Sequence, residues 1–198
     1  PPPPPPPSSS SGGFGGGYNL NQRRHRVAED SGKINVLDSQ NEVLILGSLY
    51  LGIPQCTTDR EQLKALNDML LNAKQHWASF GSDTAKDVLV SGDAAAGMIY
   101  NGFSARARTE GANVQYAYPK EGFVVWMDNV VLLKDAPNRD NALKFMNFLL
   151  DPENAAAVTN YAAYTAGVKG VEPFLDAAIK DSPENNPPAD ATPGVFAQ

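Results

Sequence analysis

Cysteine is nearly absent. Cys56 is the only one among 198 residues, which excludes an intramolecular disulfide and a cysteine-built metal cluster. Histidine is as scarce. His25 and His76 lie far apart without ligand spacing, so a His-built metal site is not expected; no cofactor is expected either. Positive charge is in deficit: 16 Lys and Arg stand against 22 Asp and Glu, a net charge of −6. That balance argues against a nucleic-acid partner and favours cationic ligands. No apolar run approaches the length that spans a bilayer. No basic start followed by an apolar stretch marks a signal peptide. The apolar share, 42%, is that of a globular chain, and the length allows one domain or two small ones.

The first 33 residues carry no core. Pro1–Pro7 is a homopolymer, Ser8–Ser11 follows, and Gly12, Gly13, Gly15, Gly16 and Gly17 surround Phe14. Such a stretch is expected to be a disordered extension, with the prolines in polyproline II. The proline run also fits the groove of an SH3- or WW-type domain. The glycines lack the spacing of a nucleotide loop. Arg23, Arg24, His25 and Arg26 form a short basic run that could touch phosphate. Residues 1–33 hold four of the basic and two of the acidic residues, which leaves 12 against 20, or −8, on the remainder.

From Ile34 onward strands are expected to alternate with helices, which makes the class α/β. Ile34–Leu37 reads as a strand. Asp38 or Ser39 would cap a helix beginning near Val43, and Glu42 sits at a strand-to-helix junction, where α/β proteins expose ligand-binding groups. Thr58 and Glu61 have capping-box spacing, with Thr58 at the N-cap. Leu63, Leu66, Leu70 and Leu71 then recur at helical spacing, with Met69 as packing. Trp77 and Phe80 read as packing, and Ser82 or Asp83 starts a short helix. Ala96–Tyr100 reads as a strand with Tyr100 at its C-terminal end, Phe103–Arg108 as a helix, and Val114–Tyr118 as an alternating strand. Residues 136–140 open an amphipathic helix with a broad apolar face. Asp151 and Pro152 restart the chain as N-cap and N1, Tyr164 falls in the loop beyond, residues 174–179 make a turn or two of helix, and residues 181–198 show no strong pattern.

Val124–Leu132 is a run of β-branched and apolar residues with a carboxylate in its middle, and it reads as a buried central strand. Alternation puts Trp126 and Asp128 on the same side. A carboxylate in such a strand needs a partner, and an indole beside it offers a π face to a cation. A cationic ligand satisfies both. So does a strand-end aspartate capping a turn beside a core tryptophan, and the pair alone leaves both readings open.

Several segments together resemble the polyamine-binding proteins of bacterial ABC transporters: Asn35–Asp38, Gly97–Gly102, Pro119–Gly122 and Trp126–Asp128, in that order and spacing, with Ala142–Leu150 followed by Asp151–Glu153. The resemblance covers about residues 34–190. It implies a periplasmic-binding-protein-like fold of type II, two α/β lobes closing on a ligand. Residues 34–122 would form one lobe, 123–170 the crossing strand and helices of a partial second lobe, and 171–198 the return to the first. It implies that Trp126 and Asp128 are the aromatic and carboxylate of the crossing strand, that Glu42 is the second acidic group, and that Tyr164 is an aromatic of the following loop. Tyr100 stands where the family usually has tryptophan. Ser39 stands where some spermidine-type members have aspartate, which leans the reading towards a diamine.

The family pattern begins roughly one lobe earlier, so the resemblance implies a chain that lacks the first half of the usual receptor. The function it implies is the solute-binding component of a polyamine transporter, not an enzyme, taking putrescine or spermidine. The receptor would work in the periplasm and reach the membrane only through an ABC permease. Alternatives are a receptor of the same fold for another organic cation, a fragment that binds nothing, a partner-docking module built on the proline run, and an enzyme using Glu42, Asp128 and Tyr100 in acid–base roles. Turnover of an amine would single out the last.

Overall fold

The structure is a computed structural model that describes residues 30–196. The proline run, the serine and glycine clusters and the Arg23–Arg26 stretch lie outside the described residues. Residues 30–33, grouped above with the extension, form a turn attached to the fold. Gly32 N donates to His76 O (2.9 Å), and Lys33 O accepts from Ala95 N (2.8 Å).

The first strand, β1 (Ile34–Val36), is central to a three-stranded parallel sheet of order β2-β1-β3, with β2 at Trp77–Phe80 and β3 at Ala96–Gly97. Asn35 is fully buried in β1. Its side chain donates to Gly81 O (3.0 Å) and accepts from Ser79 Oγ (2.8 Å). A buried amide satisfied at both ends fixes which residues of β2 face β1. Parallel neighbours need crossovers. Helices α1 (Gln40–Leu51) and α2 (Arg60–Lys74) connect β1 to β2, and α3 (Ala85–Ser91) connects β2 to β3.

Helix α1 starts at Gln40, earlier than expected. Ser39 is its N-cap but makes no side-chain capping bond. Asp38 instead accepts from Ser82 N (3.1 Å) and from Ser82 Oγ, tying the end of β1 to the loop after β2. At α2 the cap is Asp59, not Thr58. The Asp59 carboxylate accepts from Glu61 N and Gln62 N, both at 2.9 Å, so the anionic side chain takes the free helix donors. The two helices meet where α1 has no side chain. A methyl group at Gly47 would lie 2.7 Å from Leu66 Cδ1 and 3.2 Å from Met69 Cε, so Met69 is packing, as expected.

Strand β2 was not expected, and β3 ends at Gly97 rather than at Tyr100. Four residues are too few for periodicity to speak; the neighbour β1 makes β2 a strand. Tyr100 becomes the N-cap of α4 (Asn101–Thr109), whose inner face buries Ser104, Ala105 and Ala107. Residues 114–118 keep an alternating burial but form no strand. A strand requires a ladder partner, and none among the described residues lies beside them.

The same reason corrects the central run. Only Val124–Val125 (β4) is a strand, pairing in parallel with β5 (Val195–Phe196). Beyond Val125 no described strand takes up the backbone groups, and the expected burial is absent: Val130 is 53% and Val131 72% exposed. The apolar face of α5 (Arg139–Leu149) is equally open, with Phe145 and Phe148 each 56% exposed.

Helix α6 (Pro152–Ala162) is capped as expected, Asp151 accepting from Glu153 N and Asn154 N. A 3-10 turn (Glu172–Phe174) and α7 (Ala177–Lys180) follow. The stretch after Asp181, expected to show no strong pattern, contains β5 and a buried glutamate paired with a partly exposed arginine. Glu184 is almost completely buried and accepts from Arg108 Nη2 (2.7 Å), Arg108 Nε (3.1 Å) and Ser104 Oγ (3.2 Å). Burial alone would raise its carboxyl pKa. Arg108, the backbone and Ser104 together outweigh burial and leave it below the usual carboxylate range.

Candidate functional site

Beyond the C-terminal end of β1 and the start of α4 lies an open cavity of about 500 Å³. Its lining contains every residue singled out from the sequence: Ser39, Glu42, Tyr100, Trp126, Asp128 and Tyr164. Two further residues line it, Asn41 and Phe103. Phe103 had a sequence signal, standing one helical turn after Tyr100 and therefore on the same face.

Each element contributes by its local geometry. Ser39, Asn41 and Glu42 occupy the N-cap and first turn of α1. Tyr100 is held at the N-cap of α4 in an extended backbone conformation. Its hydroxyl donates to Glu42 Oε2 (2.8 Å). Burial, followed by the bond to and charge of Glu42, pushes the phenol up to about 12 from 10.0, so it is a hydrogen-bond donor at neutral pH. The Tyr100 ring meets Trp126 edge-on at 5.0 Å and 69°. It lies 6.3 Å from Phe103, and the Arg106 guanidinium sits over the Phe103 ring at 4.4 Å.

Tyr164 comes from the loop after α6, where Ala163 adopts the left-handed conformation (φ 63°) and turns the chain. Burial, with the negative charge of Asp128 adding to it and Arg106 opposing, raises its phenol pKa. Trp126 is 40% exposed and Asp128 is exposed, which corrects the expectation of a buried carboxylate: the run that carries them is covered by no second layer among the described residues. A second, larger groove of about 750 Å³ shares Trp126, Asp128 and Tyr164 and extends towards Tyr116, Tyr118 and the apolar face of α5.

Among the described residues neither Glu42 nor Asp128 takes part in a salt bridge, and no group of three or more His, Cys, Asp or Glu could hold a metal ion. The cavity thus joins two carboxylates, neither paired with a cation among the described residues, to four aromatic rings. Carboxylates bind ammonium through charge-assisted hydrogen bonds. Ring faces bind cations and cover methylene groups. No described helix is long and apolar enough to cross a membrane.

The family model described as bacterial extracellular solute-binding protein matches residues 32–187. The chain is 33% identical over 136 residues to the spermidine/putrescine-binding periplasmic protein of Escherichia coli, covering 69% of this chain and 39% of that protein. It is 28% identical over 156 residues to the putrescine/agmatine-binding protein of Pseudomonas aeruginosa, covering 76% and 42%. Among solved structures, it superposes with a TM-score of 0.74 and 30% identity on a putative spermidine/putrescine ABC transporter protein from Listeria monocytogenes, covering 82% of this chain and 50% of that one. The spermidine/putrescine substrate-binding protein of Streptococcus pneumoniae gives 0.72 and 27%, covering 86% and 53%. The chain spans about two fifths of the length of these curated relatives and about half of these solved chains. The α/β architecture is that of periplasmic binding proteins, and with a family match over most of its described length, this chain belongs to the bacterial extracellular solute-binding proteins.

Proposed function

We propose that this chain carries part of the ligand site of a polyamine receptor that serves an ABC transporter, with a diamine such as putrescine, or spermidine, as ligand. One observation carries the reading: Glu42 and Asp128 share a cavity with Tyr100, Phe103, Trp126 and Tyr164, and neither carboxylate forms a salt bridge among the described residues. A protonated diamine has two charged ends and an apolar middle. Its ammonium groups pair with Asp128 and Glu42. Trp126 and Tyr100 cover the methylenes and add cation–π attraction of about 0.5–2 kcal/mol each. Ser39 offers a hydroxyl where a third charge is not needed. The relatives, a putrescine/agmatine-binding and a spermidine/putrescine-binding protein, support the same ligand class.

Binding of this kind involves no covalent step, and the receptor reading assigns none. Residues 34–122 with 171–198 form one lobe in this reading, and the ion pair of Glu184 with Arg108 supports that grouping. Residues 123–170 belong to the other lobe. Closure of the lobes over the ligand would present a surface to a membrane permease outside the cytoplasm.

Calorimetric titration of the folded chain with putrescine, spermidine and a monoamine of equal carbon number tests this. Saturable binding of the diamine, with the monoamine much weaker, is expected. Absence of binding to every amine, from a chain shown folded by circular dichroism, would overturn the reading for this chain. Preference for a different organic cation would keep the receptor and change its solute.

A further inference from the structure

The two aromatic residues furthest apart in sequence at the site, Tyr100 and Tyr164, are carried on backbone segments joined by a single side chain. Asn185 Oδ1 accepts from Asn101 Nδ2 (2.8 Å) and from Thr165 Oγ1 (3.3 Å), and Asn185 Nδ2 donates to Ala163 O (3.1 Å). Asn101 follows Tyr100, and Ala163 and Thr165 flank Tyr164. One amide therefore ties both segments, although it does not line the 500 Å³ cavity itself.

Asn185 is itself firmly placed. The preceding Glu184 is locked by Arg108 and Ser104, its carbonyl accepts from Tyr118 Oη (2.7 Å), and Asn185 N donates to Ser182 O (3.1 Å). The ring it positions has little freedom on its other face. A methyl group at Gly102 would lie 2.6 Å from Tyr164 Cε2 and Cζ and 2.8 Å from Ala162 O. The Tyr164 ring thus rests directly on the bare backbone of α4. Ala163, left-handed without being glycine, supplies the turn that brings it there, and the bond from Asn185 to the Ala163 carbonyl holds that turn. A strained backbone conformation persists only when its surroundings over-determine it.

We infer that Asn185 is a positioning residue for the ligand site, an amide clip that sets Tyr164 against Gly102 and fixes its distance from the Tyr100 wall. The effect on ligand rests on the polyamine reading above; the effect on Tyr164 does not. The clip is non-local, 84 residues from Asn101 and 22 from Ala163, and comes from a stretch without a strong pattern in sequence.

The test uses the full chain. Ring resonances of 13C-labelled tyrosine are recorded without ligand, with Tyr164 identified by its loss in Tyr164→Phe. In Asn185→Ala the Tyr164 signal is expected to move to the free-tyrosine position. In Leu66→Val, a core change between α1 and α2 far from the clip in sequence, it is expected to stay. Putrescine affinity is expected to fall on the order of fivefold in Asn185→Ala, and by no further amount when the same change is made in Tyr164→Ala. If Asn185→Ala does not fold, Asn185→Asp, which keeps both accepted bonds and loses the one to Ala163, decides by the same signal. An unmoved Tyr164 resonance, or an equal shift in Leu66→Val, overturns the inference. A wild-type chain that binds no amine overturns the functional reading alone and leaves the resonance to decide the clip.

Discussion

The hydroxyl of Tyr100 donates to Glu42 Oε2 across 58 positions of sequence, at 2.8 Å. The bond orients the carboxylate, and in the proposed reading its second oxygen is the one that meets the ligand. It also holds the Tyr100 ring edge-on to Trp126, so one hydrogen bond organises both the charge and the aromatic wall of the cavity.

Asp128 has no such internal partner in the described structure, and a ligand ammonium is the group proposed to supply one. Asp128→Asn keeps the shape and removes the charge. It should weaken diamine binding tenfold or more, about 1.4 kcal/mol or above, and leave thermal stability nearly unchanged because the side chain is exposed. Calorimetry and a thermal melt together check this. Unchanged affinity would remove Asp128 from the site.

Alkaline titration reports on the tyrosines. Tyr100 and Tyr116 are both pushed up to about 12, chiefly by burial, against an ordinary 10.0. Between those values the unfolded chain has lost protons that the folded chain retains. Their contribution to stability is therefore complete below pH 10 and is lost as pH rises towards 12. Tyr118 and Tyr164 are raised as well, so absorbance of tyrosinate at rising pH should show a late-ionising group of phenols, and Tyr100→Phe should remove one of them.

The ion pair of Arg108 with Glu184 makes a prediction in acid. The Glu184 carboxyl lies below its ordinary 4.5 in the folded chain. Its contribution is complete above pH 4.5 and is lost as pH falls through the lowered value. Glu184→Gln should cost about 1–2 kcal/mol at pH 7, since Arg108 is partly solvated, and the gap to wild type should narrow at pH 3. Urea melts at the two pH values measure it. A gap independent of pH would mean that packing rather than charge holds Glu184.

Two adjacent residues compete for the cap of α2. Asp59→Ala should cost about 1 kcal/mol, because its carboxylate takes two backbone donors. Thr58→Ala should change stability by less than about 0.5 kcal/mol. Equal losses in urea denaturation would show that the capping-box spacing of Thr58 and Glu61 operates after all.

Local features were legible in the amino-acid order. The Asp151-Pro152 start of α6, the helical run around Leu66 and Leu70, and the short strand β1 depend on neighbours within a few positions, where propensity, capping and period act directly. The six candidate site residues were also named from the sequence, through spacing and resemblance, and they line one cavity. What could not be read was whatever needs a distant partner. A strand exists only beside another strand, so β2 and β5 went unseen, while residues 114–118 and most of 124–132 looked like strands and have no ladder among the described residues. Burial of Glu184 and the reach of Asn185 to two distant segments depend on a polar C-terminal stretch folding back over α4. Sequence order set the chemistry and local elements of this protein. Only the tertiary structure determined which groups meet, because hydrogen bonds and burial are satisfied by proximity in space, and proximity across dozens of residues leaves no period in the chain.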